Sequence, residues 1–309
     1  IRRASPSFCH KLFVIFICFF ISPSSYGIIF LLHIYQGNGD EKMQSLRADN
    51  SPITYYISGR DHREWVLFLH AAFVDHRMFD AQTAYFKDSY NVLAVDLIGH
   101  GQSTDTRRGD SINKMSLWIY DILKKEKIEK VHIVGVSLGA VLAQDFANRY
   151  PDAVSSLACF GGYDINHFDP GMQKENFASQ MLMMLKALVS IKWFARANRK
   201  ISAYTQQAQD QFYAMNIRFP KRSFQYLSSL GSMVNRQETA PRTYPLLIGC
   251  GKYDLPMELS AVEMWKKAEP QSRMVIFDDA GHCVNMDVPQ KFNEVLQDFW
   301  AEHNILCRD

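Results

Sequence analysis

Gly135-Val136-Ser137-Leu138-Gly139 matches the pattern G-x-S-x-G, a serine with a glycine two residues to either side. The pattern follows the apolar run 131–136 and opens a stretch of helical periodicity at 138–149, so Ser137 falls on a strand-to-helix turn. So sharp a turn imposes strained backbone angles on the serine, and side chains at the flanking positions would collide. The helix that follows brings its N-terminal N–H groups and positive potential to the place where an oxyanion would develop. The chemistry this predicts is attack of a serine hydroxyl on a carbonyl.

Such a serine needs a base. Asp279-Ala280-Gly281-His282 lies just past the run 273–277 and before the helical stretch 288–301, so His282 sits on a loop at a strand's end. Of the other histidines, His10, His33, His62, His76 and His303 lie in the leading segment, flanking loops or the tail. His132 begins the nucleophile strand at the wrong end, and His167 opens a helical insertion. The base in turn needs a carboxylate to orient it and to stabilise its charged form. Gly251-Lys252-Tyr253-Asp254 follows the run 244–250, and Asp254 is the first choice. Asp164, after the run 154–160, reaches the same edge and is the alternative acid. Asp278 and Asp279 share the histidine's own loop and read as turn formers. For the oxyanion, the N–H of Leu138 is one donor; the loop His70-Ala71-Ala72-Phe73 supplies the second from Ala72, with Phe73 next in line. His70 itself reads as a brace for that loop.

These side chains have to be positioned by a sheet. Apolar runs at 44–48, 53–57, 65–70, 91–96, 131–136, 154–160, 244–250 and 273–277 are candidate strands; the inner ones are continuous Val/Ile/Leu runs, as in a sheet covered on both faces. Helical periods at 75–86, 111–126, 138–149, 257–269 and 288–301 alternate with them. An initial hairpin followed by this alternation predicts an α/β, doubly wound sheet. Residues 165–240 break the rhythm: they contain no strand pattern and read as three or four helices, among them 181–185 and 188–194. An insertion there would cover the carboxyl edge where open α/β sheets bind ligands, so it reads as a cap. The core is then 43–164 and 241–309.

Residues 1–42 have a different character. Arg2, Arg3 and Lys11 precede an apolar run at 12–21, Ser22-Pro23-Ser24-Ser25 interrupts it, and 27–34 is apolar again. This matches a signal-like segment, while neither run alone reaches the ~20 residues of a membrane span. The first of thirteen methionines is Met43, immediately before the first strand pattern, so the leading segment also reads as non-native upstream sequence. A start at Met43 predicts a cytoplasmic protein; a real segment 1–34 predicts secretion or a membrane anchor. Composition narrows the partners. Net charge is +2 without a basic stripe, which argues against nucleic acid and leaves a small-molecule substrate. Six cysteines without C-x-x-C or metal spacing read as buried thiols in a reducing compartment.

The pieces together resemble the α/β-hydrolase superfamily over essentially all of 43–309. Four motifs occur in order: His70-Ala71-Ala72; Asp96-Leu97-Ile98-Gly99-His100-Gly101-Gln102-Ser103; Gly135 to Gly139; and Gly251 to Asp254 with Gly281-His282. The resemblance implies a mostly parallel eight-stranded sheet, a helical cap before the acid strand, the acid–base order Asp254 then His282, and no cofactor or metal. The chain departs from the family's His-Gly at Ala71, whose methyl group narrows the oxyanion loop. The serine nucleophile disfavours dehalogenases and epoxide hydrolases, which use aspartate, and dienelactone hydrolases, which use cysteine. The expected activity is hydrolysis of a carboxylic ester of a small to medium apolar substrate. A C–C bond hydrolase or lactonase would use the same triad, and a ligand receptor or signalling partner of this fold would retain it.

Overall fold

The computed structural model describes residues 43–167, 185–187, 189–227, 233 and 241–306. Its sheet has eight strands: β1 Gln44–Arg47, β2 Thr54–Ser58, β3 Trp65–Leu69, β4 Asn91–Val95, β5 Val131–Val136, β6 Val154–Phe160, β7 Leu246–Gly251 and β8 Arg273–Phe277. They lie in the order β1-β2-β4-β3-β5-β6-β7-β8. β2 is antiparallel to both neighbours, and every other pair is parallel. This is the doubly wound α/β sheet predicted from the apolar runs, with the eight mostly parallel strands that the resemblance implies.

Period-two alternation divides the inner strands between two cores. Leu67 and Leu69 of β3, with Ile133, Leu157 and Ile248, pack against α2 Met115–Lys125, α3 Leu138–Arg149 and α7 Pro256–Ala268. Val66 and Phe68, with Val134, Phe160 and Leu247, face α1 Asp80–Phe86 and α9 Pro289–Leu306, where Phe86, Phe292, Phe299 and Trp300 close the opposite core. Strands covered on both faces call for near-continuous apolar runs, and β4 and β5 are buried throughout, with Asn91 and His132 near their starts the polar exceptions.

Between β6 and β7 the described residues include α4 Ile191–Ser202, α5 Gln206–Asn216 and the short α6 Phe224–Leu227. The expected helix at 188–194 is interrupted at Ser190, whose extended backbone and hydroxyl cap α4 through Trp193 N–H at 3.4 Å. Thr205 caps α5 in the same way. Residues 181–184 of the other expected helix lie outside the described residues, as do residues 1–42. One further turn precedes the last helix, α8 Val284–Asp287. No helix among the described residues is long and apolar enough to cross a membrane.

Candidate active site

Parallel register brings the relevant strand ends to one edge. Leu69 pairs with Gly135, Val136 with Phe160, Phe160 with Gly249 and Gly251 with Phe277. The loops that follow β3, β5, β6, β7 and β8 therefore emerge side by side. They lie where the chain winds outward in both directions from β3, the crevice position of open α/β sheets.

Ser137 holds φ 55° and ψ −116°, outside the regions that L-residues favour. The strain is fixed from both sides: its N–H donates to Phe160 O at 2.8 Å, and α3 leaves it directly. Gly139 makes the elbow possible, because a Cβ there would stand 1.9 Å from the Leu69 carbonyl oxygen. Ala140 and Val141 N–H close back on Ser137 O at 2.9 and 3.3 Å, so Leu138 and Gly139 carry the N–H groups at the head of α3 that helix geometry leaves for an anion.

His282 follows β8, and its Nδ1–H donates to Asp254 Oδ1 at 2.9 Å. The same oxygen accepts the Leu255 N–H at 2.7 Å, so the carboxylate is oriented by the backbone that starts α7. The imidazole packs on Gly161, where a Cβ would come within 3.0 Å of Nδ1. Gly162 in turn lies against Ser137 O, so the loop after β6 joins the histidine to the nucleophile turn. Burial opposes a positive charge on His282, yet the Asp254 carboxylate outweighs it through attraction and the hydrogen bond; with Glu258 adding to this, the imidazole pKa rises from 6.5 to about 9.

The structure brings Ser137, Asp254 and His282 to one edge and gives Asp164 other work. Asp164 Oδ1 accepts from Asn166 N–H and Arg242 Nη2, each at 3.0 Å, and Oδ2 accepts from His167 Nδ1 at 2.7 Å. Arg242 is buried. It also donates to Gln144 Oε1, pairs with Glu269 and lies over the Trp265 ring at 5.4 Å. Two groupings among the described residues have metal-like spacing, Asp164–His167–Glu269 and Asp75–His76–Asp96. In the first the Arg242 guanidinium already supplies the positive charge. In the second Asp96 is filled by His76, Tyr56 OH and Gln102 N–H, and Asp75 by Arg77. Both fit structural ion pairs.

The loop after β3 is braced as its residues suggest. Leu97 N–H donates to His70 Nε2 at 2.9 Å, so His70 carries its proton on Nδ1 and donates it to Ala71 O at 2.7 Å. Burial lowers its pKa and keeps it neutral. The Ala71 N–H is spent on Met78 Sδ, while the Ala72 N–H meets no acceptor among the described residues. Phe73 has φ 70°, an uncommon strain for a residue with a side chain. Its ring is clamped by Phe194, Phe219 and Phe224 of the insertion.

Two acids here escape a reading by motif. Glu258, in the first turn of α7, is buried with Oε2 lacking a hydrogen-bond partner among the described residues, and burial pushes its carboxyl up to about 7 beside His282 and Asp254. Asp287, at the end of α8, accepts the N–H groups of Gly281, Tyr204 and Thr205 and the Thr205 hydroxyl. It ties the histidine loop to the insertion. The only local signals are a Glu near a helix start and an Asp before Val288-Pro289, both ordinary in sequence.

Residues 66–295 match the sequence model described as "Alpha/beta hydrolase family". The chain is similar to the monoacylglycerol lipase ABHD6 of Bos taurus, 23% identical over 84% of this chain and 82% of that protein. It is also 23% identical to 3-oxoadipate enol-lactonase 1 of Acinetobacter baylyi, over 80% of this chain and 92% of the other. In fold it is similar to the enol-lactonase of Burkholderia xenovorans, with a TM-score of 0.69 and 18% identity over 84% of this chain and 100% of the other.

Proposed function

The chain belongs to the α/β-hydrolase family and is a hydrolase of that fold, and from that premise we propose that it is a serine hydrolase cleaving a carboxylic ester of a small to medium apolar substrate. The observation that carries this reading is the 2.9 Å bond between His282 Nδ1 and Asp254 Oδ1, on the sheet edge that also bears Ser137 at φ 55°. His282 Nε2 takes the Ser137 proton as Oγ attacks the ester carbonyl. The Leu138 and Ala72 N–H groups receive the oxyanion, with Phe73 holding the loop. The alcohol leaves with the proton from His282. Water, deprotonated by the same imidazole, then hydrolyses the acyl-enzyme. The elevated His282 pKa is the signature of a carboxylate built to stabilise the imidazolium formed in both steps. The helices between β6 and β7 act as a cap: Phe194, Phe219 and Phe224 bring an apolar wall to Phe73, which suits an apolar acyl group.

A lactone is an internal ester, and similarity to an enol-lactonase favours it as a second substrate form. A fluorophosphonate probe tests the nucleophile: wild type labels, and Ser137→Ala does not. Equal labelling of the two proteins refutes the reading. A panel of p-nitrophenyl esters and lactones then ranks the acyl groups.

A further inference from the structure

α4 turns an unusual face to solvent. Phe194, Ala195, Asn198 and Ser202 point inward, while Lys192, Trp193, Arg196 and Lys200 lie outward at spacings of three and four. Trp193 is 49% exposed, and Val189 in the preceding turn is 72% exposed, with Leu185 four residues before it also out. Lys186 sits over the Trp193 ring at 5.9 Å and joins the two turns into one patch. At the other end Ile201 and Tyr204 are exposed, and Tyr204 stacks on Tyr253 at 4.1 Å, one residue before Asp254. The apolar strip thus runs from the insertion to the rim of the active site.

Scattered apolar side chains on a surface need no explanation, but a strip that includes a half-exposed tryptophan does. Its charge indicates what covers it. No Asp or Glu occurs between Glu175 and Asp210, whereas Lys186, Lys192, Arg196, Arg199 and Lys200 do. Arg199 is paired with Asp210; Lys192, Arg196 and Lys200 form no ion pair among the described residues. Tryptophan and tyrosine mixed with unpaired lysine and arginine on one face suit the boundary between headgroups and acyl chains. There the rings enter the apolar layer, and the long cationic stems reach back to phosphate.

We propose that the outward face of α4, with Leu185 and Val189 before it and Tyr204 and Tyr253 beyond it, docks on a bilayer bearing anionic lipid. The surface stands without the serine chemistry. Where both hold, it presents the active-site rim to esters dissolved in the bilayer.

The test uses the full chain with vesicles of phosphatidylcholine, with and without phosphatidylserine, carrying brominated acyl chains. The protein sediments with the anionic vesicles, less so as salt rises, and bromine quenches part of its tryptophan fluorescence. Trp193→Phe removes most of that quenching, because Trp118, Trp265 and Trp300 are buried in the protein core and the half-buried Trp65 begins β3, at the end of the strand away from the active-site edge. The triple variant Lys192→Gln, Arg196→Gln, Lys200→Gln binds about a hundredfold more weakly, from the roughly fivefold that each basic residue contributes. Both variants alter exposed residues only and keep the wild-type melting temperature. Failure of wild type to bind anionic vesicles overturns the proposal. So does quenching that survives Trp193→Phe together with undiminished binding of the triple variant, which would put the membrane contact elsewhere, residues 1–42 included. Fluorophosphonate labelling without vesicles separates this outcome from failure of the serine assignment.

Discussion

Asp287→Ala tests whether the histidine loop depends on the insertion for its position. The carboxylate accepts Gly281 N–H at 2.9 Å in a buried setting, and Tyr204 N–H, Thr205 N–H and Thr205 Oγ1 at 3.0, 2.7 and 2.9 Å in partly buried ones. Hydrogen bonds to a charged acceptor contribute about 1.5–3 kcal/mol each, and a buried donor left unpaired costs a similar amount. Water can replace the partner at the three partly buried donors, so the buried Gly281 N–H dominates. The expected loss is about 4 kcal/mol for Asp287→Ala, from these per-bond values. Asp287→Asn keeps one carbonyl oxygen, which can accept from Gly281 or from the Tyr204–Thr205 side but leaves an amide N–H facing the other donors, and costs about half as much. For a chain of this size the alanine variant should melt about 8–16 °C lower. Gly281 directly precedes His282, so the imidazole shifts as well, and displacement of a catalytic group by an ångström costs about a hundredfold in rate. Thermal unfolding by circular dichroism gives the first number and fluorophosphonate labelling at a temperature where both proteins are folded gives the second. A variant that melts with wild type and labels at the wild-type rate refutes the reasoning.

The pH profile should follow His282. Because its pKa is raised from 6.5 to about 9, the neutral base accumulates as pH climbs, and the acid limb of kcat/KM lies well above 6.5. The stability that the His282–Asp254 pair contributes is complete below 6.5 and is lost as pH rises through about 9. Glu258→Gln removes one negative neighbour and moves the acid limb to lower pH; a pH–rate profile that does not move excludes Glu258 from tuning the base. Asp254→Asn should lower turnover by about 10,000-fold, whereas Asp164→Asn leaves kcat/KM unchanged and lowers the melting temperature. The opposite pattern would give the acid role to Asp164. Arg242→Ala strands two buried carboxylates and should cost about 3–5 kcal/mol in denaturant unfolding; a wild-type midpoint would show that the pairs contribute nothing.

The strands are legible because the inner ones are buried on both faces and so carry near-continuous apolar runs, from 65–69 to 246–251, with Asn91, His132 and Ser155-Ser156 the polar residues near their starts. The helix broken at Ser190 is not, since the periodicity of Leu188 to Phe194 continues through it and only the capping geometry marks the stop. Ser137 and His282 reach the sheet edge by local signals, a turn motif and a strand's end. Choosing between Asp254 and Asp164 needs something the chain order does not carry. Both follow strands that end at the same edge, and what separates them is Arg242, 78 residues after Asp164, which occupies one carboxylate and leaves the other to the histidine. Asp287 and Glu258 are hidden for the same reason: their partners come from distant loops, and a single acidic residue near a helix end resembles many others.

Arg242 has a consequence for the history of the fold. It stands where the insertion returns to the sheet and bonds Gln144 and Asp164 near where the insertion departs. The two ends of the excursion are therefore clasped together independently of what lies between them. Closing a loop costs only slowly more as the loop lengthens, so the segment beyond the clasp is free to be lengthened, shortened or replaced while the sheet keeps its shape. A gene encoding this arrangement can exchange one inserted segment for another as a cassette without relearning how to fold.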